Sequence, residues 1–187
     1  TSHKFVIAKT LKLLKKKRAR IISCHLGNGS SITASKDGQS IDTSMGLSPL
    51  EGIPMGTRSG SIDPSIILEL ARKIGIEPTN ILLNKQSGLL ALSELSSDMR
   101  EIFAASLKKE PKALLTIEIL AYQIAKYCGA YSAALGGLDA IVFTGGLGEK
   151  AYYIREKACN YFKFLSLKID KKANKENKTQ ISTKDSN

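Results

Sequence analysis

The sequence predicts an α/β fold in which a mixed β-sheet is flanked by helices. Three observations support this prediction. Short apolar runs separated by glycine turns near the N-terminus predict a hairpin sheet, and a long stretch with helical periodicity follows. Late in the chain, a buried strand, a glycine turn and a helix succeed one another. With 187 residues, of which 42% are hydrophobic, the chain is long enough to bury a sizeable core.

The N-terminal quarter of the chain predicts one helix and three strands. Residues 20–26 form a short apolar run before a glycine, which is typical of a buried strand. Residues 30–34 predict a second strand, and Asp37-Gly38 predicts a tight hairpin into a third strand through Ile41. Before these strands, residues 2–17 have apolar side chains at three-residue steps, as expected for one face of a helix, at Phe5, Ala8, Leu11 and Leu14.

The middle of the chain predicts a long loop followed by helices. Residues 43–60 are polar and interrupted by glycine and proline, and ordered loops of this length are usually functional. Asp63 as N-cap and Pro64 in the first turn predict a helix that ends at Gly75. Further helices are predicted at residues 80–85, from a cap at Ser96 or Ser97 to about residue 107, and at residues 111–135.

The C-terminal third predicts a strand at residues 140–144, a glycine turn at 145–148, a helix from about 151 to 164 and a last strand at 165–170. Residues 171–187 are rich in lysine, asparagine, threonine and serine and have little to bury, so we expect a loosely ordered polar tail. The predicted organisation is one domain, residues 1–170, followed by that tail.

The net charge of +11 raises the question of a nucleic-acid partner. The basic residues concentrate in residues 12–20 and 163–184, and aromatic residues are not interleaved with them. The sequence therefore disfavours nucleic-acid binding. No apolar run approaches the roughly 20 residues of a membrane span, and the opening TSHKFV is not a signal peptide. We accordingly expect a cytoplasmic protein that does not bind membranes.

Cysteine and histidine usage argues against a metal centre in this chain. Cys24, Cys128 and Cys159 are far apart and form no CxxC pair, so we expect reduced, mostly buried thiols rather than a disulfide framework or a zinc site. His3 and His25 have no neighbouring ligand in the sequence, and His3 in particular is expected to be a hydrogen-bonding structural residue. No metal ligand is predicted.

Two glycine turns are candidates for phosphate binding. His25 and Leu26 lead into Gly27-Asn28-Gly29, where glycine lets the backbone approach a ligand and aim its N–H groups at phosphate oxygens. A plain hairpin turn would explain the same residues. The second turn, at residues 145–148, lies between a buried strand and a helix, where the backbone can pass under a nucleotide. It lacks the Gly-Lys-Ser/Thr of a Walker A loop and the spacing of GxGxxG.

Two arginines extend this set of candidates. Arg58 lies between small residues of the long loop, and a planar, permanently charged guanidinium suits phosphate oxygens in a transition state. An ordinary surface salt bridge is the alternative. Asp98-Met99-Arg100 stands at the front of a predicted helix, where it either meets a nucleoside or forms a helix cap with a local ion pair.

Four segments of the chain resemble acetate kinases, in the family's order and at plausible intervals. They read CHLGNGSSITA, DTSMGLSPLEGIPMGTRSGSIDP, NKQSGLLALSELSSDMR and IVFTGGLGE. The opening TSHKFV resembles the segment just after the family's HG dipeptide, and the likeness covers residues 1–170. It implies a ribonuclease-H-like domain of the actin-like ATPase superfamily, namely most of the C-terminal, nucleotide-binding domain of a phosphotransferase that acts on ATP and acetate.

The resemblance also implies a role for each candidate residue. Arg58 matches the arginine that stabilises the transferring phosphoryl group. Residues 25–29 match the segment that contacts the ATP phosphates: His25, Leu26, Gly27, Asn28 and Gly29. The adenosine-side segment corresponds to Asp98, Met99 and Arg100, although the family usually has phenylalanine in place of this methionine. The glycine turn that carries adenine and ribose corresponds to Gly146, Leu147, Gly148, Glu149 and Lys150, where asparagine is usual in place of this lysine.

The family's remaining catalytic groups have no counterpart in this chain. Its catalytic aspartate, an arginine and the catalytic histidine would precede Thr1, and the residues associated with Mg²⁺ lie near the family's two ends. Since the first residue is Thr1 rather than Met, we expect a chain cut from a longer one, although processing gives the same start. Phosphoryl transfer needs charge neutralisation from all sides, so the chain alone is expected to be inactive. A homodimer and a separate N-terminal half are the implied partners.

Three alternatives remain open at this point. Propionate and butyrate kinases share the superfamily, and the sequence does not select the acid. A non-catalytic nucleotide-binding module or a decayed gene product would also carry these motifs. A basic nucleic-acid binder would leave both glycine turns unexplained.

Overall fold

The structure is a computed structural model that describes residues 2–186. Its residues fall into two compact units. The sheet unit contains the residues up to Gly27, Ser31–Thr43 and the residues from Ala121 onwards. The helical unit contains Asn28–Ser30 and Ser44–Leu120. No helix among the described residues is both long and apolar enough to cross a membrane.

The mixed sheet contains, within the described residues, β1 (Arg20–Leu26), β2 (Ser30–Lys36), β3 (Gln39–Thr43) and β4 (Ala140–Thr144) in the order β3-β2-β1-β4. β1 and β4 run parallel, with His25 opposite Thr144 at their carboxyl ends. β2 and β3 are antiparallel, with a register shift between Ala34 and Ser35. The predicted hairpin is confirmed: Asp37 and Gly38 have φ values of 55° and 85°, as a tight primed turn requires.

Helices cover the sheet because β1 is apolar on both faces. Ile21, Ile22 and Cys24 are completely buried. α1 (Ser2–Leu14) packs Ile7 against Ala19 and Ile21. The predicted helix is thus present, and its buried face was predicted in part, because Leu11 and Leu14 are half-buried against this core. Ile7 and Thr10 are buried, whereas Phe5 and Ala8 are exposed, and the helix ends before Lys15, which has a φ of 53°.

The long helix α6 has the predicted bounds, Pro111–Leu135. In the sheet unit, Cys128 of α6 places its Sγ 3.6 Å from the Sγ of Cys24 on β1. The three cysteines are buried free thiols, as predicted. The hydrogen bond with Cys128, together with burial, raises the pKa of the Cys24 thiol, and burial raises the pKa of Cys159 to about 12.

The helical unit contains α2 (Pro64–Ile74), α3 (Ile76–Lys85), α4 (Gly88–Ser93), α5 (Met99–Leu107) and the first part of α6. α2 is capped as predicted, because the backbone N–H of Ser65 donates to the Asp63 carboxylate at 2.8 Å. α3 begins four residues earlier than predicted, and α4 was not predicted. The cap of α5 is Asp98 rather than Ser96 or Ser97.

The C-terminal region differs most from the prediction. The glycine turn at 145–148 is the start of a short helix, α7 (Gly145–Lys150), and the helix predicted next is α8 (Tyr152–Asn160) followed by a 3-10 turn. The strand predicted at 165–170 is absent apart from one bridge between Ile169 and Ser182. The boundary of a polar tail at residue 171 stays a prediction, but residues Lys171–Lys175 form helix α9, whose Asn174 is completely buried.

Candidate nucleotide-binding site

The helical unit contains a polar pocket of about 220 Å³. It brings together the end of the first glycine turn and the arginine of the long loop, both of which the sequence predicts as phosphate-binding residues. The pocket is lined by Asn28, Gly29, Thr57, Arg58, Asn84 and Lys85.

Backbone hydrogen bonds place Arg58 in this pocket. The N–H of Met55 donates to the carbonyl of Arg58 at 3.1 Å, which closes the loop into a tight bend. The N–H of Gly56 donates to the carbonyl of Asn28 at 3.0 Å, which ties this bend to the glycine turn. A Cβ on Gly29 would lie 3.7 Å from the Nη1 of Arg58. The guanidinium therefore faces the glycine turn directly.

The guanidinium of Arg58 has few protein partners. Its side-chain contact within the described residues is a weak one, from Nη1 to the Sδ of Met55 at 3.8 Å, and it forms no ion pair there. Arg58 is half-buried. A permanent cation in a polar pocket with most of its N–H donors unmatched by protein acceptors is arranged to receive an anion. The salt-bridge alternative for Arg58 is therefore wrong for this structure.

Helix α4 holds the loop that carries Arg58. Gly88 has a φ of 62°, and a Cβ there would come within 2.0 Å of the Met55 carbonyl oxygen and 2.5 Å of the Arg58 carbonyl oxygen. Only glycine permits this close approach. The carbonyls of the loop accept hydrogen bonds of 2.8–3.0 Å from backbone N–H groups at the start of α4, those of Ser87, Leu89 and Leu90.

In the sheet unit, the second candidate segment lies at the carboxyl ends of β1 and β4. The Nδ1 of His25 is 3.0 Å from the Oγ1 of Thr144, the last residue of β4. Gly145 follows with a φ of 79°, and a Cβ there would come within 2.5 Å of the Leu26 carbonyl oxygen. Gly145 thus lets α7 start directly against the end of β1. Two of the predicted segments, at residues 25–26 and 146–150, are brought together here.

The individual residues of α7 differ in exposure. Gly146, Glu149 and Lys150 are exposed, Leu147 is half-buried and Gly148 is buried. A Cβ on Gly146 would meet nothing within 4 Å, so the surface above it is open. In contrast, Leu26 as a whole residue is only 1% exposed, so it offers a ligand very little surface in this structure.

Comparison of the sequence with protein-family models identifies the family of the chain that carries these two sets of residues. All residues from 1 to 187 match the sequence model of the Acetokinase family.

This chain belongs to the Acetokinase family.

Relatives within the Acetokinase family are close in sequence and structure. The chain is 51% identical over 178 residues to the acetate kinase of Pseudothermotoga lettingae and 50% identical over 181 residues to that of Thermotoga maritima, covering 93% and 94% of this chain. The acetate kinase of Porphyromonas gingivalis superposes with a TM-score of 0.94 at 42% identity, and a propionate kinase from Francisella tularensis with 0.93 at 45%. Each superposition covers 99% of this chain.

The chain spans less than half the length of these relatives. It covers 44% of the Pseudothermotoga lettingae enzyme, 45% of the Thermotoga maritima enzyme and 48% of each of the two solved structures. The structural neighbours confirm the predicted fold, the ribonuclease-H-like domain of actin-like ATPases with a mixed sheet flanked by helices.

The third predicted segment of this Acetokinase chain, Asp98-Met99-Arg100, forms the start of α5. Asp98 accepts a hydrogen bond from the backbone N–H of Arg100 at 2.8 Å, and the exposed guanidinium of Arg100 donates to the same carboxylate at 3.0 Å. This pairing lowers the pKa of Asp98 to about 2. Met99 is buried, 6% exposed. Helix capping with a local ion pair is therefore present, and a contact with a nucleoside stays a prediction for these residues.

Sequence reasoning missed Asn84 and Lys85, which line the pocket at the end of α3. The carbonyl of Asn84 accepts a hydrogen bond from the Oγ1 of Thr57 at 2.9 Å, so the helix end is tied to the loop beside Arg58. Lys85 is exposed and has no ion pair within the part of the chain described. The available signal was the NKQ sequence within one of the segments that carry the family resemblance.

His3 is a hydrogen-bonding structural residue, as predicted. Its Nδ1 is 3.0 Å from the Oγ of Ser23 and its Nε2 is 2.8 Å from the Oγ of Ser31, so α1 is joined to β1 and β2. Burial, together with the charge of His25, whose ring centroid is 6.1 Å away, lowers the pKa of His3.

The metal-ligating side chains of the described residues do not form a cluster. No group of three or more His, Cys, Asp or Glu side chains within residues 2–186 is placed to hold a metal ion. Two acidic residues belong to the candidate segments: Asp98 is paired with Arg100, and Glu149 is exposed on α7.

Proposed function

We propose that this chain is the nucleotide-binding half of a carboxylate kinase, which transfers the terminal phosphoryl group of ATP to acetate to give ADP and acetyl phosphate. One observation carries the proposal: Arg58, a cation without an acidic partner in the described chain, faces the Asn28-Gly29 turn within a polar pocket. Membership of the Acetokinase family supports the same reaction.

The proposed chemistry assigns different parts of ATP to different segments. The backbone of residues 27–29 binds the phosphates, together with His25. Arg58 interacts with the terminal phosphoryl group, whose oxygens carry much of the charge as the bond to the ADP oxygen breaks and the bond to the carboxylate oxygen forms. Residues 146–150 and Asp98-Met99-Arg100 bind adenine and ribose. The preorganised loop of Arg58 keeps this cation in place throughout, which is how positioning lowers such barriers.

Propionate is a second candidate acceptor in place of acetate. The chain is 45% identical to the propionate kinase of Francisella tularensis over the superposed region and 42% identical to the Porphyromonas gingivalis acetate kinase. The nucleotide half therefore does not distinguish the two acids. We propose that the residues selecting the acid lie in the part of the relatives that this chain does not span.

Activity of the complete site requires more than this chain. We propose that a separate or continuous N-terminal half supplies the missing catalytic residues and the ligands of the Mg²⁺ that accompanies ATP, and that the whole protein forms a homodimer.

Mixing this chain with the N-terminal half of a related acetate kinase tests the proposal. We expect the mixture to form acetyl phosphate from ATP and acetate, detected as the hydroxamate, and each half alone to be inactive. Magnetic resonance titration of this chain with ATP should show millimolar binding with shifts at residues 27–29 and 146–150. A folded chain that binds neither ATP nor ADP would contradict the proposal. Nucleotide binding without activity in any mixture would instead favour a non-catalytic nucleotide-binding module.

A further inference from the structure

A buried arginine without an acidic partner lies next to α7 in the sheet unit. Arg155, on α8, is only 3% exposed, and no Asp or Glu forms an ion pair with it in residues 2–186. Burial lowers its pKa. All of its protein hydrogen bonds go to neutral oxygens.

Two of these hydrogen bonds go to the end of α7. The Nη1 of Arg155 donates to the carbonyl oxygens of Gly148 at 2.8 Å and Glu149 at 2.5 Å. Carbonyls in the last turn of a helix have no partner within the helix, so an outside donor fixes their direction. These two carbonyls lie in the segment proposed to bind adenine and ribose.

The other hydrogen bonds of Arg155 go to the C-terminal segment. Nε and Nη2 donate to the side-chain and backbone oxygens of Asn174 at 2.7 and 2.6 Å, and Nη2 also donates to the Oδ1 of Asn177 at 2.8 Å. Asn174 is completely buried on α9 and donates from Nδ2 to the carbonyl of Tyr152 at 2.9 Å. One guanidinium therefore joins α9 to α7.

Stability alone does not account for a charge in this place. Burying a cation is costly, and apolar side chains of similar volume often stabilise a protein as well as buried charges do. What the guanidinium adds is a rigid, planar fork of donors with fixed directions. That fork orients two carbonyls of α7 relative to α9. An apolar side chain has no donors and could not orient these carbonyls.

We propose that Arg155 is a positioning residue for the adenosine side of the site, acting through α7 and making this binding depend on α9. The inference rests on the proposed function. Arg155 does not itself touch the nucleotide, because its donors are occupied by the Gly148 and Glu149 carbonyls, while the open surface of α7 is at Gly146.

Separating the adenosine and phosphate parts of the ligand tests this role. Arg155→Lys and Arg155→Met would be compared with wild type and with Arg72→Lys, a control on the exposed ion pair with Glu69. Adenosine and inorganic tripolyphosphate would be titrated separately into the full chain, with amide shifts as the readout. We expect both Arg155 variants to weaken adenosine binding about tenfold, as for other residues that orient a binding group. Tripolyphosphate binding should change less than twofold, and Arg72→Lys should change neither.

Asn177→Ala provides a milder test if the Arg155 variants fail to fold, because it removes a single acceptor of the fork. It should weaken adenosine binding severalfold and leave tripolyphosphate binding unchanged. Equal losses of adenosine and tripolyphosphate binding would show that Arg155 has a merely structural role. Unchanged adenosine binding would show that Arg155 does not position the adenosine side at all. Either result overturns the inference. A wild-type chain that binds tripolyphosphate but not adenosine or ATP would overturn the proposed function as well.

Discussion

Arg58 in the helical unit and Arg155 in the sheet unit are both arginines, but their environments differ sharply. Arg155 is buried, and its hydrogen bonds all go to protein oxygens. Arg58 is half-buried, and within the described chain its guanidinium has one hydrogen-bond partner, the sulfur of Met55. We infer a criterion from this contrast: an arginine whose donors are filled by protein oxygens supports the fold, and one whose donors are unfilled in a polar pocket is a candidate for binding an anion.

Replacing Arg58 should have the largest functional effect. Arg58→Ala in the two-half mixture should lower turnover by about 10³-fold or more, in line with arginines that stabilise phosphoryl transfer. ATP affinity should stay within a few fold, because the glycine turns remain. Initial rates at saturating ATP and acetate measure this loss, with Arg72→Ala as the control. Turnover that survives in Arg58→Ala would remove the role assigned to this residue.

The two arginines should rank the other way round for stability: replacing Arg155 should destabilise the protein more than replacing Arg58. Arg155→Ala leaves oxygens of Gly148, Glu149 and Asn174 without these donors, so the free energy of unfolding should fall by about 2–4 kcal/mol. Arg58→Ala should change it by less than about 0.5 kcal/mol, because no strong hydrogen bond is lost. Urea denaturation measures both values. Equal destabilisation by the two variants would contradict the distinction between Arg155 as a supporting arginine and Arg58 as a ligand-binding one.

The loop that presents Arg58 depends on one glycine, so Gly88→Ala should be strongly unfavourable. The added Cβ would meet the Met55 carbonyl oxygen at 2.0 Å, and the residue has a φ of 62°. We expect a loss of about 2–3 kcal/mol in the free energy of unfolding, from backbone strain together with overpacking. Gly129→Ala is the matched control. It lies inside α6 with nothing within 4 Å of the new methyl group, and should stabilise by up to about 1 kcal/mol.

The smallest predicted effect concerns His3 and pH. Because the pKa of His3 is lowered in the folded protein, the unfolded chain takes up the proton first as the pH falls. The contribution of His3 to stability is therefore complete above the ordinary histidine pKa of about 6.5 and declines below it. His3→Gln should reduce the slope of unfolding free energy against pH as the pH falls below about 6.5. An unchanged slope would assign the titration to other groups.

Local signals made most of the fold predictable. Strands β1 and β4, the hairpin at Asp37-Gly38, the cap at Asp63 and helix α6 were placed correctly because short-range chemistry determines each of them. Helix α4 was missed, and the first turns of α1 were assigned the wrong buried residues, because tertiary contacts decide both. The N-terminus of α4 is satisfied by carbonyls of a loop some 30 residues earlier in the chain, which no local pattern indicates.

The candidate site was predictable in part for the same reason. Glycine turns and Arg58 stand out as sequence motifs, and the structure brings Arg58 to Gly29. Lys85 and Asn84 escaped notice because they end an ordinary helix and acquire their position only through the hydrogen bond from Thr57. Arg155 escaped because a lone arginine on a polar helix looks like a surface residue until Asn174 and the carbonyls of α7 are seen around it.

The buried thiols allow local opening of the sheet unit to be measured by thiol labelling. Cys24, Cys128 and Cys159 all lie in that unit, and the helical unit contains no cysteine. With the pKa of Cys159 near 12 and that of Cys24 raised, thiolate is scarce in the folded protein at neutral pH, and a disulfide reagent cannot reach the sulfurs. The rate of labelling therefore measures how often β1, α6 or α8 opens far enough to expose its thiol. Measured with and without ATP, that rate would report how much a bound nucleotide slows such excursions.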